Sequence, residues 1–215
     1  MDYKQDFIQF MKDTGALTFG DFVTKSGRNT PYFVNTGKYN HGEDIAQLGK
    51  YYANCILDNS DIIDRVGNTV LFGPAYKGIP LVVATSIALA EQGINVKYCF
   101  NRKEAKNHGE GGEIVGHKLS PYDNVIIIED VITAGTAVRE VMPLLKSAGA
   151  IVKSLVISVD RMERGTGGQT AIQEIEEEFG INTYPIVNVE EILDSLDDQN
   201  LIAQMQAYMQ KYCNL

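Results

Sequence analysis

The sequence predicts an α/β protein built on a doubly wound, mostly parallel sheet. Three observations carry this. From residue 43 onward, short β-branched runs alternate with longer stretches of helical periodicity, the signature of strand-helix-strand units. Val125 to Ile128 is β-branched at every position, as suits a strand covered on both faces. Small-residue turns stand directly after two of the apolar runs, at 73–78 and 133–137, where such sheets place their ligands.

The elements follow in order. Asp2 to Thr14 puts Phe7, Ile8, Phe10 and Met11 on one side of a helix that ends near Gly15. Phe19 to Thr24 and Pro31 to Thr36 flank Lys25-Ser26-Gly27-Arg28-Asn29 and read as a hairpin with a basic tip. Helices are expected over Glu43 to Leu57, Ile79 to Gln92, Ala137 to Ala148 and Thr170 to Phe179. Strands are expected over Thr69 to Phe72, Val96 to Phe100, Val125 to Ile128, Ile151 to Val159 and Thr183 to Val187, with helices closing the chain. Asn101 to Glu113 reads as a polar loop, and a long polar segment inside a compact domain is commonly a functional lid.

The 215 residues suit one domain, with 15–40 as a small cap over the sheet and the segment after Ile181 as a further candidate for it. A net charge of −9 argues against a general nucleic-acid or anionic-membrane surface, so an anionic substrate would need a local basic site. Cys55, Cys99 and Cys213 lack metal or redox spacing and read as reduced thiols. The N-terminus has no basic segment followed by an apolar core, and no apolar run approaches a membrane span, so the expected location is the cytoplasm.

Two strings carry chemistry. In VIIIEDVITAGTA, residues 125 to 137, Glu129 and Asp130 stand at the mouth of a strand. Val131 and Ile132 follow, then Thr133, Ala134, Gly135, Thr136 and Ala137 lead into a helix. Gly135 lets the backbone approach a ligand, and free N–H groups at a helix start favour a phosphate. In GPAYKGIP, residues 73 to 80, the same order of strand, turn and helix recurs, with Lys77 as a point charge for pyrophosphate oxygens. Arg102, Lys103, Lys106 and His108 give the polar segment an anionic target, although on charge content alone a solvated loop is the more frequent outcome. Arg161, after the strand ending at Val159 and Asp160, has donors suited to a carboxylate, or to a surface ion pair. Lys25 and Arg28 precede Tyr32 and Phe33, a tip able to stack on a flat base. Gly165 to Gly168 does not open a helix behind a strand. His41 and His117 have no partners at metal spacing, and no Ser/His/Asp order stands on a nucleophile elbow.

The 125–137 string resembles the phosphoribosyl-diphosphate motif of type I phosphoribosyltransferases. Together with TKSGRNTPYFVN at 24–35, GPAYKGIP at 73–80, NRKEAKNHGEGG at 101–112 and SVDRMERG at 158–165, it is similar to the bacterial type of the orotate phosphoribosyltransferase family. The resemblance implies that fold with an N-terminal hood, and transfer of a phosphoribosyl group to orotate in pyrimidine biosynthesis, with Mg²⁺ carried by the donor and no direct protein ligand to the metal. It implies donor contacts from Tyr76, Lys77, Arg102 and Glu129 to Ala137, orotate contacts from Lys25, Phe33, Thr133 and Arg161, and catalytic roles for Lys103, Lys106, His108 and Asp130. It further implies a homodimer in which a mobile loop, 101–113, completes the neighbouring site, with neither nucleic acid nor membrane as partner. Glu129 departs from the Asp that many relatives carry there. A purine or uracil phosphoribosyltransferase, or a regulatory protein that senses the donor, remains open at this point.

Overall fold

The computed structural model describes residues 2–24, 27–63, 67–106, 112–165 and 167–214, with the side chains of Ala105 and Lys106 excepted. Helix α1 (Tyr3–Asp13) leads into the hairpin β1 (Leu17–Val23) and β2 (Asn29–Val34), and a 3-10 turn over Thr36–Lys38 connects to α2 (Gly42–Asp58). The alternating part comprises β3 (Thr69–Gly73), α3 (Gly78–Glu91), β4 (Lys97–Lys106), β5 (Gly112–Gly116), β6 (Asn124–Ile128), α4 (Thr136–Ser147), β7 (Ile151–Asp160), α5 (Ala171–Phe179) and β8 (Asn182–Asn188). Helices α6 (Val189–Asp194) and α7 (Gln199–Tyr212) end the chain.

Among the described residues the main sheet runs β5-β4-β3-β6-β7-β8, with β5 antiparallel to β4 and the other neighbours parallel. The chain steps from β3 outward to β4 in one direction, and from β6 to β7 and β8 in the other. The order therefore reverses between β3 and β6, where a crevice opens beyond the strands' carboxyl ends. The two predicted loops follow these two strands. β3 and β6 are buried along almost their whole length, as parallel strands covered by helices must be, and their apolar side chains feed one core on each face of the sheet.

The expected polar loop over 101–113 is corrected in part. Residues 101–106 continue β4 and 112–113 begin β5, and the two strands pair antiparallel with Phe100 opposite Val115 and Asn101 opposite Ile114. Charged side chains are compatible with this because β5 is the sheet edge, where charge discourages pairing with a further strand. Residues 107–111, which include His108, lie outside the described residues, as does Lys25.

The hairpin packs against α7, where Tyr32 and Tyr208 meet edge to face with ring centroids 6.0 Å apart. The C-terminal helix thereby supports the N-terminal hood. Cys55, Cys99 and Cys213 are free thiols in the interior, and no helix among the described residues is long and apolar enough to cross a membrane.

Candidate active site

The approach of β3's end to the start of α3 is set by Gly73 and Gly78. A β-carbon on Gly73 would fall 2.2 Å from the Gly78 carbonyl oxygen, and one on Gly78 would fall 2.8 Å from the Gly73 carbonyl carbon. Only glycine at both positions lets the chain turn back on itself this tightly. The turn between them presents Ala75, Tyr76 and Lys77, and its shape is held from the next strand, where Asn101 Oδ1 accepts the Ala75 N–H at 2.8 Å. Tyr76 is 71 % exposed at the mouth of the crevice.

Beyond β6, Gly135 takes a left-handed φ of 66° and α4 begins at Thr136 with no side-chain cap. Its first N–H groups are left for a ligand, and no acid stands in the first turn to oppose an anion. Thr133, Ala134 and Thr136 are exposed around this opening. Arg139, one turn into α4, donates to the Ala134 carbonyl and pairs with Glu178 at 2.7 Å, fastening the loop to α5. Both loops line one cavity of about 290 Å³, bounded by Pro74 to Lys77 and by Glu129 to Val138. Tyr76, Lys77 and every predicted donor-site position from Glu129 to Ala137 therefore meet in one place.

The two acids occupy different electrostatic states. Glu129 is 7 % exposed, and burial pushes its carboxyl up to about 8, so it is largely protonated at neutral pH. Its Oε1 accepts the Asp130 N–H at 3.0 Å. Burial also works against charge on Asp130, but Lys77 Nζ at 2.7 Å, the Val131 N–H and the Thr36 hydroxyl at 2.7 Å outweigh it and hold that carboxyl below its ordinary range. The backbone beneath is fixed as well. Tyr52 donates to the Glu129 carbonyl at 2.7 Å, and the Asp130 carbonyl accepts from the Ser158 N–H at 2.8 Å and its hydroxyl at 2.7 Å. Thr36, Asn101, Tyr52 and Ser158 were not singled out by sequence, because each acts from 26 to 94 residues away with no local pattern to mark it.

The predicted orotate residues are less closely gathered. Arg161 and Thr133 line a small recess of about 30 Å³. The Arg161 guanidinium lies 4.5 Å over the Tyr32 ring and its Nε donates to Glu163 Oε1 at 2.7 Å, an ion pair that is largely buried rather than at the surface, with side chains 12 % and 19 % exposed. Phe33 packs on Phe22 at 5.6 Å within the hairpin and lines neither cavity. On the edge ribbon, Arg102 Nη1 donates to the Gly112 carbonyl at 3.1 Å and Lys103 Nζ pairs with Glu140 of α4 at 2.7 Å. Among the described residues no group of three or more His, Cys, Asp or Glu side chains is placed to hold a metal ion. The carboxylates lining the cavity are Glu129 and Asp130.

Comparison with known proteins agrees with this geometry. Residues 36–180 match the phosphoribosyl transferase domain family. The orotate phosphoribosyltransferase of Clostridium beijerinckii is 54 % identical over 202 residues, covering 93 % of this chain and 88 % of that protein. The chain belongs to the orotate phosphoribosyltransferases. The family member from Ruthia magnifica is 50 % identical over 98 % of both chains. The crystal structure of the Francisella tularensis family member superimposes with a TM-score of 0.87 at 38 % identity, covering 97 % of this chain and all of that one (100 %). The expected α/β fold with a mostly parallel central sheet is thus the family's own.

Proposed function

We propose that this protein transfers the 5-phosphoribosyl group of phosphoribosyl diphosphate to orotate, giving orotidine 5'-phosphate and pyrophosphate for pyrimidine biosynthesis in the cytoplasm. The observation that carries the reading is the convergence of the 73–78 and 129–137 loops on one cavity at the sheet's switch point, in a chain about half identical to proteins of that name.

The residues divide the donor between them. The uncapped start of α4, with Thr133 and Thr136, is suited to the 5'-phosphate. Asp130, kept ionised, accepts from the ribose hydroxyls, and Glu129, protonated and buried, both accepts and donates beside it. Lys77, with its side chain 68 % exposed, can swing from Asp130 toward the pyrophosphate. Cleavage of the bond from C1' to pyrophosphate leaves positive charge on the sugar and negative charge on the leaving group, so cations around the departing oxygens lower the barrier most. Mg²⁺ brought in with the donor would supply further positive charge beside the leaving group, and the cavity fits it: Asp130, held ionised on its wall beside Glu129, would take the ion's waters or the donor's hydroxyls without a dedicated ligand cage.

We place orotate between the hood and Thr133, with Arg161 released from Glu163 to meet its carboxylate. The β4–β5 ribbon carries Arg102, Lys103 and Lys106, with His108 beyond them in sequence. In a homodimer, these would close over the neighbour's cavity and exclude water. The test is the loss of orotate absorbance on mixing the protein with phosphoribosyl diphosphate and Mg²⁺. Turnover of adenine, hypoxanthine or uracil with orotate inert would refute the assignment, as would donor binding without consumption.

A further inference from the structure

The hood and the ribose-side acid are joined through one hydroxyl. Thr36 opens the 3-10 turn after β2, and its Oγ1 donates to Asp130 Oδ2 at 2.7 Å across 94 positions of sequence. Lys77 Nζ meets the same oxygen at 2.7 Å and lies 3.4 Å from Thr36 Oγ1. A single carboxylate oxygen is therefore shared by a cation from the turn after β3 and a hydroxyl from the turn after β2.

These partners differ in what they can do when a donor arrives. Lys77 stands on a flexible stem, 68 % exposed, that leaves it free to turn toward pyrophosphate oxygens. Thr36 has one rotatable bond before its oxygen, and its backbone is anchored independently of Asp130. The Asn35 N–H donates to the Ala16 carbonyl at 2.7 Å, and the Asn35 side chain accepts the Gly37 N–H at 3.1 Å. Once Lys77 has left, the Thr36 hydroxyl still holds Oδ2, and it does so from the hood, whereas the other bonds to this carboxylate, from the Val131 N–H and Glu129, come from its own segment of chain. Beside it lies a cavity of about 200 Å³, lined in part by Thr36, Tyr52, Leu81, Asp130 and Ser158, which gives a carboxylate held only by its neighbours in sequence space to turn.

We infer that Thr36 is a positioning residue for the donor: its hydroxyl holds Asp130 in the orientation that receives the ribose hydroxyls and ties that orientation to the seat of the hood. The inference rests on the reading of the site as a phosphoribosyl-diphosphate site. A carboxylate free to rotate must be ordered at each binding event, and that cost falls on donor affinity rather than on the chemical step.

The experiment compares wild type, Thr36→Val and Thr36→Ser as full chains, by steady-state kinetics and by calorimetric titration with phosphoribosyl diphosphate and Mg²⁺. Thr36→Val keeps the shape and removes the donor, and is expected to weaken donor binding and raise the donor KM about tenfold. It should leave kcat within about twofold and the orotate KM unchanged, and Thr36→Ser should recover most of the loss. Wild-type donor affinity in Thr36→Val, or a loss that Thr36→Ser does not recover, overturns the inference. So does an equal rise in the orotate KM, which would mark a general disturbance of the hood. If wild type binds the donor but leaves orotate untouched, the orotate assignment fails while the calorimetric comparison still decides the role of Thr36. If it binds no donor, both fall.

Discussion

Lys77 and Asp130 bridge the crevice between the two loops through a 2.7 Å contact from Nζ to Oδ2, on a lysine side chain 68 % exposed and a carboxylate 11 % exposed. The asymmetry of exposure tells the two roles apart. The acid is part of the wall, and the cation can leave. Coulomb attraction to an exposed lysine is heavily screened, so the pair adds little to folding, while the same ammonium beside a desolvated pyrophosphate is worth far more.

Lys77→Gln should accordingly leave unfolding stability within about 1 kcal/mol of wild type. It should reduce kcat/KM for phosphoribosyl diphosphate by at least about tenfold, the loss of one charge-assisted contact. Chemical denaturation and steady-state kinetics on one preparation decide it. A large stability loss with kcat/KM intact would make the pair a structural tie.

Glu129 gives a pH dependence whose sign can be worked out. Burial raises its folded pKa to about 8, while the unfolded chain releases that proton near the ordinary value of about 4.3. The folded state therefore binds the proton more tightly. The resulting stabilisation is complete below the unfolded value and is lost as pH rises through the folded one, a window from about pH 4 to pH 8. Glu129→Gln keeps the size and cannot ionise, so its stability relative to wild type should climb across that window by a few kcal/mol, at about 1.4 kcal/mol for each pK unit. Denaturant unfolding at pH 5 and pH 8 measures this, and parallel curves for the two proteins would show that Glu129 is charged in the fold.

Sequence made the site legible where chemistry is local. Val125 to Ile128 reads as a buried strand because β-branching and apolarity coincide, and the small residues after Glu129 and Asp130 read as a phosphate turn because strand, turn and helix adjoin. What pairing across the fold supplies was not legible. Residues 101–106 and 112–113 form strands through hydrogen bonds to each other at an edge, which leaves charged side chains in solvent and erases the alternation that marks a half-buried strand. Thr36 is an ordinary residue after a strand until the hood folds it onto Asp130, and Asn101 gives no sign that it will hold the Ala75 N–H. Arg161 shows the reverse, since its position after β7 was predictable while its engagement with Glu163 and Tyr32 was not.

Lys103 tests the shared-site arrangement. Its pairing with Glu140 involves side chains 38 % and 53 % exposed, so Lys103→Ala should cost folding little and turnover much. Mixing Lys103→Ala with Asp130→Asn chains, after dissociation and reassembly, should then recover part of the activity, because one of the two sites in a heterodimer receives an intact ribbon and an intact acid. Confirmed heterodimers without recovery would place both groups in the same subunit's site.

Asp123 supplies a prediction remote from the crevice. Its side chain, 2 % exposed, lies before β6 at the opposite end of the strand from Asp130. Oδ2 accepts the Ser120 N–H at 2.7 Å and the Ser120 hydroxyl at 2.9 Å, with His117 Nε2 at 3.0 Å, while Lys97 Nζ lies 3.4 Å from Oδ1. Burial opposes its charge, but the hydrogen bonds from His117 and Ser120 prevail and lower the carboxyl from its ordinary value. The folded pKa lies below the unfolded one, so this group's stabilisation is present above about pH 4 and is lost as pH falls through the lowered value. Asp123→Asn retains the shape but puts an amide N–H₂ or a neutral oxygen among donors arranged for an anion, at a cost of about 1–3 kcal/mol near neutral pH. That deficit should shrink on acidification, as wild type loses the same charge, and orotate turnover per folded molecule should stay unchanged throughout. Unfolding of both proteins from pH 7 to pH 3 measures it, and a deficit that persists undiminished at pH 3 would show that packing at this turn, not the carboxylate's charge, holds the base of β6.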